Sequence, residues 1–509
     1  MKIALISTNT TAADQGLRTI SGVLRNAGHS TKLIFLTASE DYSKFYSKKV
    51  LRQVRKLCSD ADLIGIASMT STAKRAIQVI NFLRPLGKII VWGGIHATLA
   101  PEQCIKHADI VCVGEGEEAV LELTENLEKG KSIDKIRNLW IRKGPAVIRN
   151  KVRPLIHALD KLPFPDYEIK GHYILKKNRL VKFIESDFNG YIFFLTGRGC
   201  PYCCTYCSNK ALNNIYENQW GRVRWHSPDY IINGILYLMK KYPSLKIFDI
   251  RDDTFSLRPV EQIREFCRRY KQEVGLRMKC LGDPRTISEE KIRLLVDAGC
   301  TDIIIGIQGQ ERVNLEVYRR PQRDSDVINA ANILHKFKGK LAVMYDVITS
   351  NPYETAEDVA NLIKLLEKLP PPFYLSVNNL VFFTGSELYN MAMKDGVIKN
   401  EKDSAIELNY WDRWKHIRLK KKNMYLNLLL NLMRGSVSRS RFGLMPRNAI
   451  DFLIKPSVVR FNGKHKIFVY ALGSIVGVSD VIREKIAKPV YRSLPIDFKL
   501  WYDKARYRI

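Results

Sequence analysis

Acidic residues are scarce in this chain. Among 509 residues, 52 Asp and Glu stand against 82 Lys and Arg, a formal net charge of +30. The imbalance concentrates in residues 401–509, with 23 basic against 9 acidic side chains. Such a surface attracts RNA, anionic lipid or acidic substrates, although a solvated lysine-rich face gives the same numbers. No apolar run of about 18 residues is present, so no transmembrane helix is expected. No secretory signal pattern precedes the first strand-like run, Met1–Ser7. Cys58, Cys104, Cys112, Cys267, Cys280 and Cys300 are scattered through apolar patterns as small core residues, not spaced as a disulfide framework. These absences predict a cytoplasmic protein. A G-x-G-x-x-G turn is also missing, which argues against a dinucleotide. Neither a catalytic triad nor a carboxylate pair stands out. At 46% hydrophobic and 26% charged the composition is globular, and the length suggests two or three domains.

Residues 1–140 alternate short apolar strands with helical stretches. Strands are expected at Met1–Ser7, Ser30–Leu36, Asp62–Ser68, Lys88–Trp92 and Asp109–Val113, with helices near Ala12–Ala27 and Thr72–Arg84. This rhythm predicts an α/β, doubly wound parallel sheet. Ligands of such sheets bind beyond the carboxyl ends of the strands. The candidate ligand-facing residues are therefore Ser7, Thr8 and Asn9; Ser68, Met69 and Thr70; Gly93 and Gly94; and Gly114, Glu115 and Gly116. The glycines would let a large flat ligand approach the backbone. Residues 141–185, with Leu162-Pro-Phe-Pro-Asp-Tyr167, break the rhythm and read as a linker running over the surface.

A second organising stretch follows the β-favouring run Tyr191–Thr196: Cys200-Pro-Tyr-Cys203-Cys204-Thr-Tyr-Cys207. Cys200, Cys204 and Cys207 form C-x3-C-x2-C and can hold three irons of a cubane. Cubanes take four cysteines as a rule, so the fourth iron needs an outside ligand. S-adenosylmethionine (SAM) can serve through its amino and carboxylate groups. The competing reading pairs Cys200 with Cys203 and Cys204 with Cys207 as a zinc knot. Against it, Cys203 and Cys204 are neighbours, and no second knuckle lies at the usual spacing of about 15–20 residues.

The cysteine spacing, its place after a strand and the aromatic Tyr206 resemble the radical SAM superfamily over residues 186–400. The segment "GGIHATLAPE…ADIVCVGEGEEA" is similar to the cobalamin-binding domain that precedes many radical SAM domains. The resemblance implies a Rossmann-like cobalamin-binding domain at 1–140, the linker at 141–185 and a partial (β/α)6 radical SAM barrel at 186–400. It further implies a [4Fe-4S] cluster, SAM and cobalamin as cofactors, and an electron donor such as ferredoxin or flavodoxin. Tyr206, Asp252, Asp253 and Gln308 are implied as SAM contacts, Asp253 first for the amino group; a pair of helix-capping aspartates is the bland alternative. Gln308 stands where the family's "GIESG" strand has an acid. The D-x-H-x-x-G cobalt-ligand motif is missing, which leaves His96 as a substitute ligand or an ordinary polar residue.

The implied chemistry is hydrogen abstraction by a 5′-deoxyadenosyl radical, then methylation of the substrate carbon from cobalamin, with ring formation or rearrangement as alternatives. A methylthiotransferase would need a second three-cysteine set, and Cys58, Cys104 and Cys112 are not compact enough to form one. A small-molecule substrate of hydrophobic kind (lipid, isoprenoid or tetrapyrrole-like) is expected. Residues 401–509 form a basic, mainly helical C-terminal extension. Its apolar helix Met424–Met433 after Arg418–Lys422 could lie on a membrane surface as a peripheral contact or pack over the barrel mouth. Aromatic and basic residues continue through Arg439–Arg447, Phe452 and Tyr491–Tyr507. No RNA module is recognisable, so nucleic acid is not the expected partner. A non-catalytic metal-knot protein binding RNA or anionic membrane is the rival from another class.

Overall fold

The computed structural model describes residues 1–37, 44–400 and 419–499. Residues 401–418 and 500–509 of the expected extension, including Arg418 and Tyr507, lie outside the described residues.

Two nine-stranded sheets carry the chain. The first contains β1 (Lys2–Ser7), β2 (Ser30–Phe35), β3 (Leu63–Ala67), β4 (Ile89–Gly93), β5 (Ile110–Cys112), β6 (Leu139–Lys143), β7 (Ala146–Arg149), β8 (Tyr173–Lys176) and β9 (Arg179–Lys182). Its order is β7-β6-β5-β4-β3-β1-β2-β8-β9, parallel from β5 to β8. Strands β1, β3 and β4 are buried on both faces, which is why they read as continuous apolar runs. Helices α1 (Gln15–Asn26), α2 (Lys48–Cys58), α3 (Ala73–Leu83), α4 (Ile95–Leu99), α5 (Pro101–Cys104) and α6 (Glu117–Glu128) complete this half. Asp14 caps α1 by accepting from the Leu17 amide.

The second sheet begins with six parallel strands: β10 (Tyr191–Phe194), β13 (Ile247–Ile250), β14 (Arg277–Gly282), β15 (Cys300–Gln308), β16 (Ala342–Thr349) and β17 (Phe373–Asn379). Between the first two, β11 (Gly197–Arg198) and β12 (Arg224–Trp225) form a separate antiparallel ribbon. The order is open, since β17 continues into antiparallel β18 (Gly435–Val437), β19 (Arg441–Phe442) and β20 (Met445–Pro446) and not back to β10. The barrel is thus partial. Its helices are α7 (Ser208–Ile215), α8 (Pro228–Lys241), α9 (Val260–Arg269), α10 (Glu289–Asp297), α11 (Asp324–His335), α12 (Ala356–Lys368) and α13 (Glu387–Lys394). Ser288 caps α10 and Thr355 caps α12.

The stretch 141–185 differs from a surface linker. It supplies β7, β8 and β9 to the first sheet, and its Pro-rich centre is packed between the two halves. Phe164 stacks on Phe194 of β10 with ring centroids 5.2 Å apart. The Arg18 guanidinium of α1 lies 4.6 Å and 4.8 Å from the rings of Phe35 and Tyr167, a buried cation–π cluster. Tyr167 accepts from Gln15 at 2.6 Å and its hydroxyl donates to the Phe193 carbonyl. Prolines signalled an irregular path, but the aromatic residues between them decide where that path runs. One face of the first sheet consequently shares a continuous apolar core with the barrel, while the face under α2 and α3 has a core of its own.

The C-terminal helices are α14 (Lys421–Met433), α15 (Arg447–Leu453), α16 (Pro456–Lys464), α17 (Lys466–Ile482) and α18 (Lys488–Ser493). Helix α14 covers the expected Met424–Met433 segment and is buried on nearly every side, against α12 and β17. Its asparagines are bonded inside that core, except that the Asn431 Oδ1 is left without a partner. Asn427 accepts from the Ser350 amide (2.7 Å) and the Thr349 hydroxyl, and donates to the Asn423 carbonyl (2.7 Å). This segment is therefore part of the barrel wall rather than a helix laid on a surface.

Asp166 ties the central segment to α1. It accepts from Ser21 (2.5 Å) and from the Glu168 amide (2.9 Å), and pairs with His172 (3.1 Å). Burial pushes its carboxyl up, but these partners outweigh burial and bring it down to about 2. A depressed carboxyl stabilises the fold above its unfolded value of about 4, and the contribution fades as pH falls toward 2. Asp166→Asn is expected to cost about 2 kcal/mol at pH 7. Urea denaturation checks this, with the gap to wild type narrowing below about pH 4.

Candidate active site

The cysteine loop leaves β10 through Leu195 and Thr196. Asp252, just beyond β13, accepts from the Thr196 amide (2.5 Å), the Thr196 hydroxyl (2.5 Å) and the Gly197 amide (3.0 Å). Burial pushes its carboxyl up to about 6, against the pull of Arg258. Gly199 adopts φ +100°, and a Cβ there would meet the Trp220 carbonyl, so the turn into Cys200 requires glycine. Cys200 and Cys204 are buried, Cys203 and Cys207 partly so. The loop is clamped beyond its middle. The Thr205 amide donates to the Tyr318 carbonyl (2.9 Å), its hydroxyl to the Val317 carbonyl (2.8 Å), and its carbonyl accepts from Leu388 (2.9 Å). Cys207 stands at the start of α7, with no capping hydrogen bond from its side chain.

Cations surround this loop. Arg285 lies over the Tyr202 ring at 3.8 Å, and Asp283 holds Arg285 (2.8 Å) and Arg320 (2.5 Å). Arg320 in turn reaches Cys204 and Tyr206. Tyr206 packs edge-on against Tyr318, 4.9 Å away. Burial pushes the Cys200 and Cys207 thiols up to about 12. Thiolates so desolvated need a positive partner, and iron supplies one. Among the described residues no three His, Cys, Asp or Glu side chains converge as a single ion requires. A zinc knot would bring its sulfurs within about 4 Å of one another, whereas a cubane holds each thiolate on a different iron. Three cysteines on one loop can serve a cubane whose remaining iron takes another ligand.

Asp253, next to Asp252, points elsewhere. It lines a cavity of about 420 Å³ between the two halves. Burial raises its carboxyl, and the Asn209 side chain hydrogen-bonds to it; Asn209 also accepts from Trp220 at 2.9 Å. Across the cavity stand Gly93, Gly94, Gly114, Glu115 and Gly116, at the carboxyl ends of β4 and β5. The cavity also extends as an apolar slot between the sheet and helices α1 and α6, past Leu5, Gly65, Leu17 and Val120. A glycine rim above an apolar slot fits a broad planar ligand with a tail. Ser7, Thr8, Asn9, Ser68, Met69 and Thr70 do not line it. They form a network beside it instead: Ser7 and Asn9 both donate to Asp14 at 2.8 Å, Asn9 accepts from the Met69 amide (3.0 Å), and Ser68 accepts from Trp92 (2.9 Å). Thr8 reaches Thr72 (3.4 Å), and Thr70 opens the turn before α3.

Tyr206, Asp252 and Gln308 do not line the cavity either. Gln308 sits at φ +66°, beside a register irregularity between β15 and β16. His96 is buried against Trp92 (5.7 Å), away from the cavity, with Nδ1 unpartnered and its pKa pushed by burial down to about 4. Among the described residues the one histidine lining the cavity is His226, held by Asp160 at 2.9 Å and stacked on Tyr230 at 4.1 Å.

Glu115 has a second duty. Its carboxylate accepts from Arg198 (3.1 Å), Arg224 (2.9 Å) and the Ile156 amide (3.0 Å), while its own amide donates to the Tyr216 hydroxyl (2.7 Å). Arg198 also donates to Glu117 (2.7 Å). Gly114, at φ +82°, leaves the room Tyr216 occupies, which a Cβ would fill. Sequence reasoning found Glu115 but not Arg198, Arg224 or Asn209. Arg198 inside Gly197-Arg-Gly199 was the one available signal.

The B12 binding domain family model matches residues 1–124, and the radical SAM superfamily model matches residues 194–366, together more than half of the chain. An uncharacterized methyltransferase of Pyrococcus horikoshii is 27% identical over 401 residues, 76% of this chain and 80% of that protein. The bacteriochlorophyllide d C-8(2)-methyltransferase of Chlorobaculum tepidum is 24% identical over 358 residues, 67% of this chain and 70% of that protein. Among solved structures, the radical SAM methyltransferase TsrM of Kitasatospora setae, with cobalamin and a [4Fe-4S] cluster bound, superimposes with a TM-score of 0.62 at 16% identity, covering 78% of each chain. The chain belongs to the radical SAM superfamily, in its methylase-like branch with a cobalamin-binding domain. It is a radical SAM enzyme whose cofactors are a [4Fe-4S] cluster, SAM and cobalamin.

Burial works to raise the Glu115 carboxyl, but Arg198 and Arg224 outweigh it and hold it below the usual range. Its contribution is therefore complete at neutral pH and is lost only as pH falls through that lowered value. Glu115→Gln removes the carboxylate both arginines share. It is expected to cost about 3 kcal/mol, read as a lower urea midpoint.

Proposed function

We propose that this enzyme methylates an unactivated carbon of a hydrophobic small molecule of lipid, isoprenoid or tetrapyrrole-like kind. The observation that carries the reading is one cavity bounded on one side by the glycine turns of the cobalamin-binding domain and on the other by Asp253 and Asn209 beside the cysteine loop. When bound, the cluster supplies the electron that splits the SAM sulfonium, and cobalamin supplies a methyl carrier.

The chain's own residues do the rest. Cys200, Cys204 and Cys207 hold three irons, leaving the fourth to SAM. Asp253, oriented by Asn209, takes the SAM amino group, while Asp252 keeps the loop in shape. Arg285 and Arg320 balance the negative charge that thiolates and sulfides bring. Gly93, Gly94 and Gly116 let a flat macrocycle approach, while Gly114 makes room for Tyr216. Phe194 and Leu212 add apolar wall, which excludes water from a carbon radical. No general acid or base is required of these side chains. The chemistry of the Chlorobaculum relative, which acts on a bacteriochlorophyllide, supports a hydrophobic acceptor. Ferredoxin or flavodoxin is the proposed electron donor.

Anaerobic reconstitution with iron, sulfide and hydroxocobalamin, followed by dithionite and SAM, tests the reading. Wild type is expected to release 5′-deoxyadenosine and retain about one cobalamin; the Cys200/Cys204/Cys207→Ala variant should release none. Cleavage without retained cobalamin would point to cyclisation or rearrangement. Asp253→Asn, with its cluster absorbance intact, should need about 10-fold more SAM for half-maximal cleavage, the loss of one charge-assisted hydrogen bond.

A further inference from the structure

Most large apolar side chains exposed among the described residues lie beyond residue 443, and a run of them shares one helix face. On α17, Tyr470, Ile475, Val478, Val481 and Ile482 are each at least half exposed. The opposite face, with Val469 and Val476, is buried against α14. Asp480, the sole acid of α17, is engaged by Arg434 of the barrel wall and by Arg483 at 3.2 Å. The outward face therefore carries no acid. Exposed cations flank it: Arg460 and Lys464 before, Lys485 after, with Ile486 and Val490 extending the apolar row.

We infer that this face is a docking surface for an anionic lipid bilayer. The enzyme would lie on the membrane without crossing it. No single helix among the described residues is long and apolar enough to span, and α16 and the helix after it are bent by 91°. One face of α17 is also committed to the barrel, so only the outer face can enter the headgroup region, as interfacial helices do. Charge selects the occupant. A second copy of this chain would bring another net charge of +30 to the contact, whereas anionic headgroups oppose the flanking lysines. This surface lies on α17, apart from the cavity, and does not rest on the methylation reading.

Co-sedimentation of the full-length holoenzyme with vesicles tests it. The protein should pellet with phosphatidylcholine–phosphatidylglycerol vesicles, far less with phosphatidylcholine alone, and less again as salt rises. Val478→Asp/Ile482→Asp and Lys464→Glu/Lys485→Glu should each weaken binding by about 10-fold or more. Both variants must keep the wild-type urea midpoint, since they change only exposed positions. The inference is overturned if wild type ignores anionic vesicles or if both folded variants bind as wild type does. It is also overturned if light scattering shows a dimer that Val478→Asp/Ile482→Asp abolishes, which would assign the face to a second copy. 5′-Deoxyadenosine release stays at the wild-type rate in both variants, so failure here leaves the reaction untouched.

Discussion

One buried carboxylate fixes the distance between the two halves of this enzyme. Glu115 stands at the end of β5 and is gripped by Arg198 and Arg224, the two strands of the ribbon that leads into and out of the cysteine loop. The same three residues thus set the position of the cobalamin-binding domain and the orientation of the cluster loop. A buried ion pair is weak as a source of stability but strong as a specifier, because any displacement leaves charges uncompensated in low dielectric. Glu115 and Arg198 also line the cavity, so this contact is part of its wall.

Apolar packing makes the arrangement rigid. Arg18, Tyr167, Phe164 and Phe194 connect α1, the central segment and β10 without a solvent gap. Relative motion of the halves would have to break the cation–π cluster and the Glu115 contacts together.

The sequence made the local features legible. Strand periodicity placed β1 to β5 within a residue, since strands buried on both faces announce themselves as apolar runs. The cysteine loop was readable because its chemistry sits in one short spacing. What depended on distant partners was not. Adjacent Asp252 and Asp253 are equivalent as letters, and only the Thr196 amide separates the residue that braces the loop from the one that faces the cavity. Prolines in Pro163-Phe-Pro165 suggested a surface path, but no local signal says what Phe164 stacks on. The helix at 421–433 read as a membrane-surface helix or a cover for the barrel mouth because a basic stretch precedes its apolar run; its buried Asn427, bonded to Thr349 and Ser350, seats it in the barrel wall. The exposed apolar face lies further along, on α17, where the sequence shows apolar residues on all sides and only packing decides which side stays bare.

The clamp on the cysteine loop changes how the enzyme should age in air. Thr205 is held by Val317, Tyr318 and Leu388 through contacts that involve no sulfur. The polypeptide therefore fixes the loop at Thr205 through contacts of its own. Oxidative loss of the cluster would leave a receptive scaffold instead of an unravelled one, so damage at this centre is a matter of repair in place, not of replacing the chain.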